Sequence, residues 1–480
     1  MTKIFNEFKI VVEKFSDKVA FADGETAIRY SDLLNSIETG EKFVCENLPT
    51  NYNKPIGLID RTNILSISLL LSMAKNNLTL APINVDLTFN QIKELISNLE
   101  LEYLIVNKSS NFYAYASELG KNIYIDKHYL IIQLFQDYEP EIQYPGETFL
   151  VTTSSGSTGS PKPIIFTQAT KWNRYIQSRN LYFIDYNDKI LCATPLFHSL
   201  GQRLIFLSLL SGATLVNLEV FDPKLWMKLV QSRQVTFTIS VSTHLNYVKN
   251  YLLNDNQEKL PLRSLVSSSA GISKKLKYDL FENSKFTFFE QYGASEVATV
   301  SNCDKATFTN HPDSVGKICP GVNVTIQELD SKSQVGEILV ESHVAAHGFI
   351  KDKQYVKLEN KSFATGDLGN LKNEILYFKG RLNEVAKIGG QNVYLKDIQD
   401  IFLRNPKISG SEVVYVENPI LGFGLKVLLV LEDKEMTMGE IWDYANKNLA
   451  LFQQPLQIVV VEKFPLLGNG KVDKKVLANL

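Results

Sequence analysis

The 480-residue sequence predicts an α/β fold: a large N-terminal domain of layered α/β subdomains plus a β-rich subdomain, then a small α+β C-terminal domain. Three observations carry this. Strand-like and helix-like apolar patterns alternate through most of the chain, as in parallel strands joined by helical crossovers. From about Val315 the apolar segments become short and strand-rich. After GRLNE a third style mixes two helices with three strands. A chain of this length also exceeds what one ordinary core serves, so more than one domain is expected.

In order, NILSISLLLSMAKN reads as a helix, LTLAPIN as a strand, TFNQIKELISN as a helix and EYLIVN as a strand. Long apolar patterns suit helices, and short β-branched runs suit buried strands. The alternation returns in KILCATPL (strand), QRLIFLSLLS (helix), ATLVNL (strand), PKLWMKLVQSR (helix) and VTFTISV (strand). NVTIQEL, GEILVES, GDLGNL and ILYFKG make the β-rich part. The last part reads as helix YLKDIQDIFLRN, strands EVVYVE and LKVLLVLE, helix MGEIWDYANKNL and strand QIVVVE. The boundary falls near residues 381–384, giving domains 1–382 and 383–480. There is no internal repeat and no low-complexity tract.

Hydrophobic residues at 44% and charged residues at 21% are the composition of a globular protein. A net charge of -2 speaks against nucleic acid or an anionic membrane held by bulk electrostatics. MTKIFNEFKIVVEKF has charges every few residues and is no signal peptide. LSISLLLSMA is too short to span a bilayer, so no integral membrane segment is expected. Cys45, Cys192, Cys303 and Cys319 form no CxxC pair and read as reduced thiols of a cytoplasmic protein.

TTSSGSTGSPKP gathers hydroxyls, glycines and one lysine after the apolar run TFLV. A flexible surface linker and an anion cradle of hydroxyls and glycine N–H groups are both open on this stretch alone. Gly156, Gly159 and Lys162 lack the spacing of a P-loop NTPase. LLGNGKVDKK follows no strand–helix unit of a dinucleotide fold. His343 and His347 have the i, i+4 spacing of a zinc pair, but the glutamate of HExxH is missing. His128, His244 and His311 have no readable partner.

Six segments, TSSGSTGSPK, PLFHSLG, QYGASE, TGDLG, GRLNEVAKIGGQNV and LLGNGKVDKK, occur in this order between residues 153 and 475. Together they resemble the AMP-forming adenylating superfamily of acyl- and aryl-CoA ligases, nonribosomal peptide synthetase adenylation domains and luciferases. IRYSDLLNSI and LSMAKNNLTLAPINVDLTFNQI extend the likeness over essentially the whole chain. The resemblance implies that a carboxylate joins the α-phosphate of ATP, expelling pyrophosphate, and that the acyl group then passes to a thiol. Two anions must meet, so neutralising charge is the main catalytic task.

On that resemblance Ser154, Ser155, Gly156, Ser157, Thr158, Gly159 and Lys162 hold the β- and γ-phosphates. Pro163 stands where the family has glycine, which stiffens the loop exit. Gln291 and Gly293 belong to the nucleotide site, Tyr292 stacks on adenine and Ser295 touches the α-phosphate. Glu296, assisted by Thr158, is the Mg2+ carboxylate; magnesium keeps waters and substrate phosphates, so one protein carboxylate is enough. Ser269, Ala270 and Gly271 in SSSAGIS form an adenine wall, with Ser268 and Ser269 in place of the usual glycines. Asp367 takes the ribose hydroxyls as a two-oxygen acceptor, helped by Arg381. Asn383 falls at a hinge. Lys471 is the catalytic lysine on a mobile C-terminal lid and also contacts ATP. Rotation of that lid then brings Gly389 and Gly390 in for the thiol step. His198, with Phe197, gates the passage between acid and ATP.

The segment TPLFHSLGQRL carries no acidic residue to anchor a substrate ammonium, which disfavours an α-amino acid. The resemblance therefore implies ATP-dependent activation of a non-amino carboxylic acid, fatty or aromatic, and transfer to coenzyme A. Loading of an acyl or amino acid onto the phosphopantetheine of a separate carrier protein remains open. So does a catalytically inactive nucleotide sensor, which the residues at Pro163, Ser268 and Asn383 allow and those at Glu296, Asp367 and Lys471 oppose.

Overall fold

The computed structural model describes residues 3–49, 52–135, 140–153, 162–254, 260–269, 271–330, 334–358, 362–382, 385–388, 391–418, 422–466 and 472–480. Helix Ile64–Lys75 starts at Asn63, whose side chain accepts the backbone N–H groups of Leu65 and Ser66. Strand Thr79–Ile83, helix Phe89–Leu99 and strand Tyr103–Asn107 follow. The second alternation gives strand Lys189–Cys192, helix Ser199–Leu210, strand Thr214–Asn217, helix Pro223–Ser232 and strand Phe237–Val241.

These elements build two large mixed sheets, one of nine strands and one of thirteen. In the first, Pro55–Ile59 lies parallel between Thr79–Ile83 and Tyr103–Asn107. In the second, Lys189–Cys192 lies parallel between Thr214–Asn217 and Phe237–Val241, and the parallel run continues through Ser264–Ser268 to Thr287–Ala294. Strands covered on both faces need an unbroken apolar run, and Pro55–Ile59 is buried at every position. The β-rich strands Val322–Asp330, Val335–Ser342, Phe363–Lys372 and Ile375–Arg381 extend the thirteen-stranded sheet. Their link is the short strand Gly316–Ile318, which pairs with Ser301 and Asn302 on one side and Ile375 and Leu376 on the other.

Helices fill the space between the sheets. One core cluster joins Leu70 and Ile205 of these helices to Leu58 and Leu80 of one sheet and Leu215 and Phe237 of the other. Separate clusters cover the outer faces: Trp226, Leu245 and Leu280 on Leu191 and Leu265, and Ile92 and Leu95 on Leu104 and Val106. The period-2 alternation of strands explains the layering, since Ile190 faces inward and Leu191 outward. Beyond residue 392, Phe402, Val413, Val427 and Ile441 pack into a core of their own. No helix among the described residues is long and apolar enough to cross a membrane.

Candidate active site

Strand Thr148–Thr153 returns antiparallel as Pro163–Thr167, with Thr153 opposite Pro163. The strands on either side of the hydroxyl-rich segment therefore pair as neighbours in the nine-stranded sheet. Pro163 is tolerated because it is the first residue of its strand. Ser154 to Gly159 lie outside the described residues, as do Ala270, Asn383, Gly389, Gly390 and Lys471. Lys162 is exposed at the loop exit.

QYGASE forms a second hairpin, in the thirteen-stranded sheet. Ala294 stands opposite Ala298, which leaves Ser295 and Glu296 at the tip. Gly293 is required here: a Cβ would meet the Ala298 carbonyl oxygen at 1.8 Å. A segment running from strand Val335–Ser342 to strand Gly348–Lys351 crosses between the sheets and ties the hairpins together. The Ala346 N–H donates to the Glu296 carbonyl at 2.5 Å, and the next N–H, of His347, donates to the Ile165 carbonyl at 2.9 Å. Arg174 adds a third tie from helix Gln168–Tyr182. Its Nε donates to the Val344 carbonyl (2.8 Å), Nη2 to the Glu296 carbonyl (3.0 Å) and Nη1 to Ser199 Oγ (3.2 Å).

The backbone of Glu296 is thus fixed while its half-buried carboxylate, at a hairpin tip, forms no ion pair among the described residues. A lone carboxylate in that setting fits a hard cation that keeps most of its oxygen ligands from water and phosphate.

Antiparallel register places Asp367 opposite Arg381. Arg381 Nε lies 2.8 Å from Asp367 Oδ1, and the Tyr292 hydroxyl donates to Asp367 Oδ2 at 2.8 Å. Burial, and then the Asp367 charge, push the Tyr292 hydroxyl well above its ordinary pKa, so it stays a neutral donor. Gly366 takes φ +70° before the aspartate, and its N–H donates to Glu337 Oε1 at 3.0 Å. Two residues read from separate motifs, Tyr292 and Arg381, therefore converge on the carboxylate of a third, Asp367.

Ser269 is exposed at φ +72°, a left-handed conformation that costs a residue with a Cβ about 1–2 kcal/mol. Relief of that cost outweighs the added chain entropy of glycine. Ser269→Gly is therefore expected to stabilise the protein by about 0.5–1 kcal/mol in chemical denaturation. A loss of stability would disprove the strain. Gly271 is exposed near the helix Leu395–Leu403, where a Cβ would lie 4.0 Å from Lys396 Nζ. The Gln291 side chain is buried and fully engaged. Its Oε1 accepts from Tyr182 Oη (2.9 Å), Thr299 Oγ1 (2.9 Å) and Arg203 Nη1 (3.2 Å), and its Nε2 donates to Ser268 Oγ (2.6 Å). It holds Ser268, at the end of strand Ser264–Ser268, from behind.

His198 precedes helix Ser199–Leu210 and its ring lies 4.6 Å from that of Phe197. Gly201 lets this helix start against its own entry loop, because a Cβ would meet the Pro195 and Thr194 carbonyls at 2.2 and 2.4 Å. Four of the other five histidines find separate partners. His343 Nδ1 contacts the Gly321 carbonyl at 2.9 Å. His347 contacts Tyr355 Oη at 2.7 Å and Glu147 at 2.9 Å. Among the described residues, no group of three His, Cys, Asp or Glu side chains is placed to hold a metal ion. His311 meets Tyr377 Oη at 2.9 Å, and His244 stacks on Phe221.

Sequence reasoning missed a polar cluster behind the site. Lys171 Nζ donates to Gln202 Oε1 at 2.6 Å and sits 3.5 Å from the Phe166 ring centre. Gln202 Nε2 in turn donates to Thr152 Oγ1 (3.0 Å) and the Leu196 carbonyl (2.8 Å). Burial, then the charges of Arg174 and Arg203, push Lys171 well below its ordinary pKa. Burial and then Arg203 lower Arg174 to about 9. The readable signal is SLGQRLIFLSLL, an apolar helix interrupted by two adjacent polar residues.

Two mixed sheets with helices between them, and two hairpins fastened together where the sheets meet, are the architecture of an adenylate-forming enzyme. The chain belongs to the family of AMP-binding enzymes, whose sequence model matches residues 8–350. The long-chain-fatty-acid–CoA ligase FadD13 of Mycobacterium tuberculosis is 23% identical over 353 residues, 71% of this chain and 69% of that protein. The 2-succinylbenzoate–CoA ligase of Lactococcus lactis subsp. lactis is 24% identical over 399 residues, 79% of this chain and 85% of that protein. The o-succinylbenzoate CoA synthetase of Bacillus subtilis, solved with its acyl-adenylate intermediate, has the same fold. It superposes with a TM-score of 0.82 at 18% identity, over 98% of this chain and 97% of that one.

Proposed function

We propose that the chain activates a non-amino carboxylic acid, fatty or aromatic, as an acyl-adenylate and transfers the acyl group to coenzyme A. The observation that carries this reading is the double fastening of the Glu296 hairpin to the phosphate-loop hairpin. Loop N–H and hydroxyl groups of residues 154–159, with Lys162, would hold the β- and γ-phosphates. Glu296 and Thr158 would hold magnesium, which supplies positive charge against the phosphates when bound. Tyr292 would stack on adenine beside the wall at Ser269, Ala270 and Gly271, with Gln291 and Gly293 shaping the floor. Ser295 would contact the α-phosphate. Asp367, already oriented by Arg381 and Tyr292, would accept the ribose hydroxyls. His198 would screen the carboxylate from water.

The separate core beyond residue 392 supports a lid domain, 383–480, hinged at Asn383 on domain 1–382. Lys471 would arrive from that lid to neutralise the meeting of carboxylate and α-phosphate. Gly389 and Gly390 would then admit the pantetheine arm. Relatives named as CoA ligases support coenzyme A as acceptor. Four cysteines without a disulfide fit a cytoplasmic site of action.

The test is acid-dependent exchange of pyrophosphate into ATP, followed by AMP release with free coenzyme A or with a phosphopantetheinylated carrier protein. Exchange together with coenzyme A-stimulated release is expected. Release stimulated only by the carrier would move the acceptor to a protein. ATP binding without exchange on any acid would make the chain a sensor.

A further inference from the structure

The segment that enters the phosphate loop and the segment that leads to His198 come from different sheets, yet one buried side chain joins them. Gln202, on helix Ser199–Leu210, is fully buried. Its Nε2 donates to Thr152 Oγ1 at 3.0 Å and to the Leu196 carbonyl at 2.8 Å. Thr152 lies two residues before Ser154 on strand Thr148–Thr153, and Leu196 lies two residues before His198. A single amide nitrogen thus spans the phosphate side of the proposed site and its carboxylate side.

Lys171 sets the direction of that amide. An ammonium only donates, and Lys171 Nζ lies 2.6 Å from Gln202 Oε1. Turning the amide over would bring two donors face to face and leave the Leu196 carbonyl without one. Lys171 is itself held 3.5 Å from the centre of the Phe166 ring, and Phe166 stands on strand Pro163–Thr167. Both strands that border the hydroxyl-rich segment therefore bear on this pair.

The fold has other fasteners here. The Leu196 N–H donates to Thr62 Oγ1 at 2.7 Å, and Thr152 pairs with Ile164 on the neighbouring strand. Replacing a buried polar set by apolar groups of like shape is close to neutral for stability. Keeping an ammonium, an amide and a hydroxyl away from water, within electrostatic reach of Arg174 and Arg203, instead costs free energy. A role in the reaction accounts for that cost.

We propose that Gln202, aimed by Lys171, is a positioning residue for acyl-adenylate formation, holding the His198 segment at a fixed distance from the phosphate-loop strand. This rests on the acid-activation reading above. The carboxylate must reach the α-phosphate in line with the departing pyrophosphate, and a misplacement of about 1 Å can lower such a rate about 100-fold.

Gln202→Glu separates positioning from folding. Its carboxylate keeps the acceptor for Lys171, now as an ion pair, and offsets buried positive charge, but it cannot donate to the Leu196 carbonyl. The full chain is assayed with whichever of octanoate, palmitate and benzoate is turned over fastest. The melting temperature is expected to stay at or above that of the wild type, while kcat for pyrophosphate release falls about 30–100-fold. Acyl transfer to coenzyme A from supplied acyl-adenylate involves no triphosphate and is expected to be unchanged. A wild-type rate of pyrophosphate release overturns the proposal. So does an equal loss in both steps, or a loss that follows a fall in melting temperature, either of which would assign Gln202 to the fold. Should Gln202→Glu fail to fold, Thr152→Val carries the comparison: it removes the acceptor at nearly constant shape and should lower pyrophosphate release about tenfold without touching acyl transfer. Should no acid release pyrophosphate from the wild type, the ligase reading fails separately, and amide hydrogen exchange decides. Mg2+ with α,β-methylene-ATP is expected to slow exchange at residues 194–199 in the wild type and not in Gln202→Glu, which would keep Gln202 as the link between the two segments; the same response in both proteins would remove it.

Discussion

Glu296→Gln is expected to lower adenylate formation about 10²–10³-fold in kcat while leaving the melting temperature nearly unchanged. The two expectations come from different atoms of one residue. Its carbonyl oxygen is the structural part, held by Ala346 N–H and Arg174 Nη2. Glutamine keeps that carbonyl and nearly the same shape. The carboxylate is the functional part in the proposed mechanism, and it forms no ion pair among the described residues whose loss would weaken the fold. Removing one charge-stabilising contact at a reacting phosphate typically costs about 3–4 kcal/mol of the barrier. Pyrophosphate release measured against Mg2+ concentration is the direct check, and half-saturation should move to higher Mg2+. A variant with wild-type rates and wild-type Mg2+ dependence would remove Glu296 from the metal site.

How far such roles are legible in sequence depends on how each side chain finds its neighbours. Tyr292, Asp367 and Arg381 come from three motifs, and antiparallel register alone sets Asp367 opposite Arg381. Gly293 and Gly201 lie inside the quoted motifs, but the carbonyls that force them come from contacts only the fold shows. Arg174 was not legible. Its acceptors are 25, 122 and 170 residues away, and nothing local in QATKWNRYIQSRNLY distinguishes a buried guanidinium from a solvated one. Lys171 and Arg203 were missed for the same reason, because a charge on a helix usually faces water. The joining of the β-rich strands to the large sheet was also hidden. It runs through Gly316–Ile318, a strand too short for any period to register.

Arg174 offers the second large effect, and substitution by lysine separates geometry from charge. Arg174→Met would leave the Val344 and Glu296 carbonyls and Ser199 without their donor in a region that is 3% exposed at Arg174. Each charge-assisted hydrogen bond is worth roughly 1.5–3 kcal/mol. Against that stands relief of repulsion from Arg203 and of the cost of burying a guanidinium, which already lowers its pKa to about 9. Three lost bonds outweigh the relief, so a net destabilisation on the order of 2–4 kcal/mol is expected. Adenylate formation should fall by at least about tenfold, because the hairpin tip loses one of its two fasteners. Arg174→Lys restores the charge, but one ammonium cannot span three acceptors that a planar fork reaches. It should recover little of either loss; near-complete recovery would mean that the field of the cation, not its geometry, matters. If Arg174 acts by holding the Glu296 hairpin, its effect on rate must also shrink in a Glu296→Gln background. Fully additive losses in that double-mutant cycle would show the two residues to be independent.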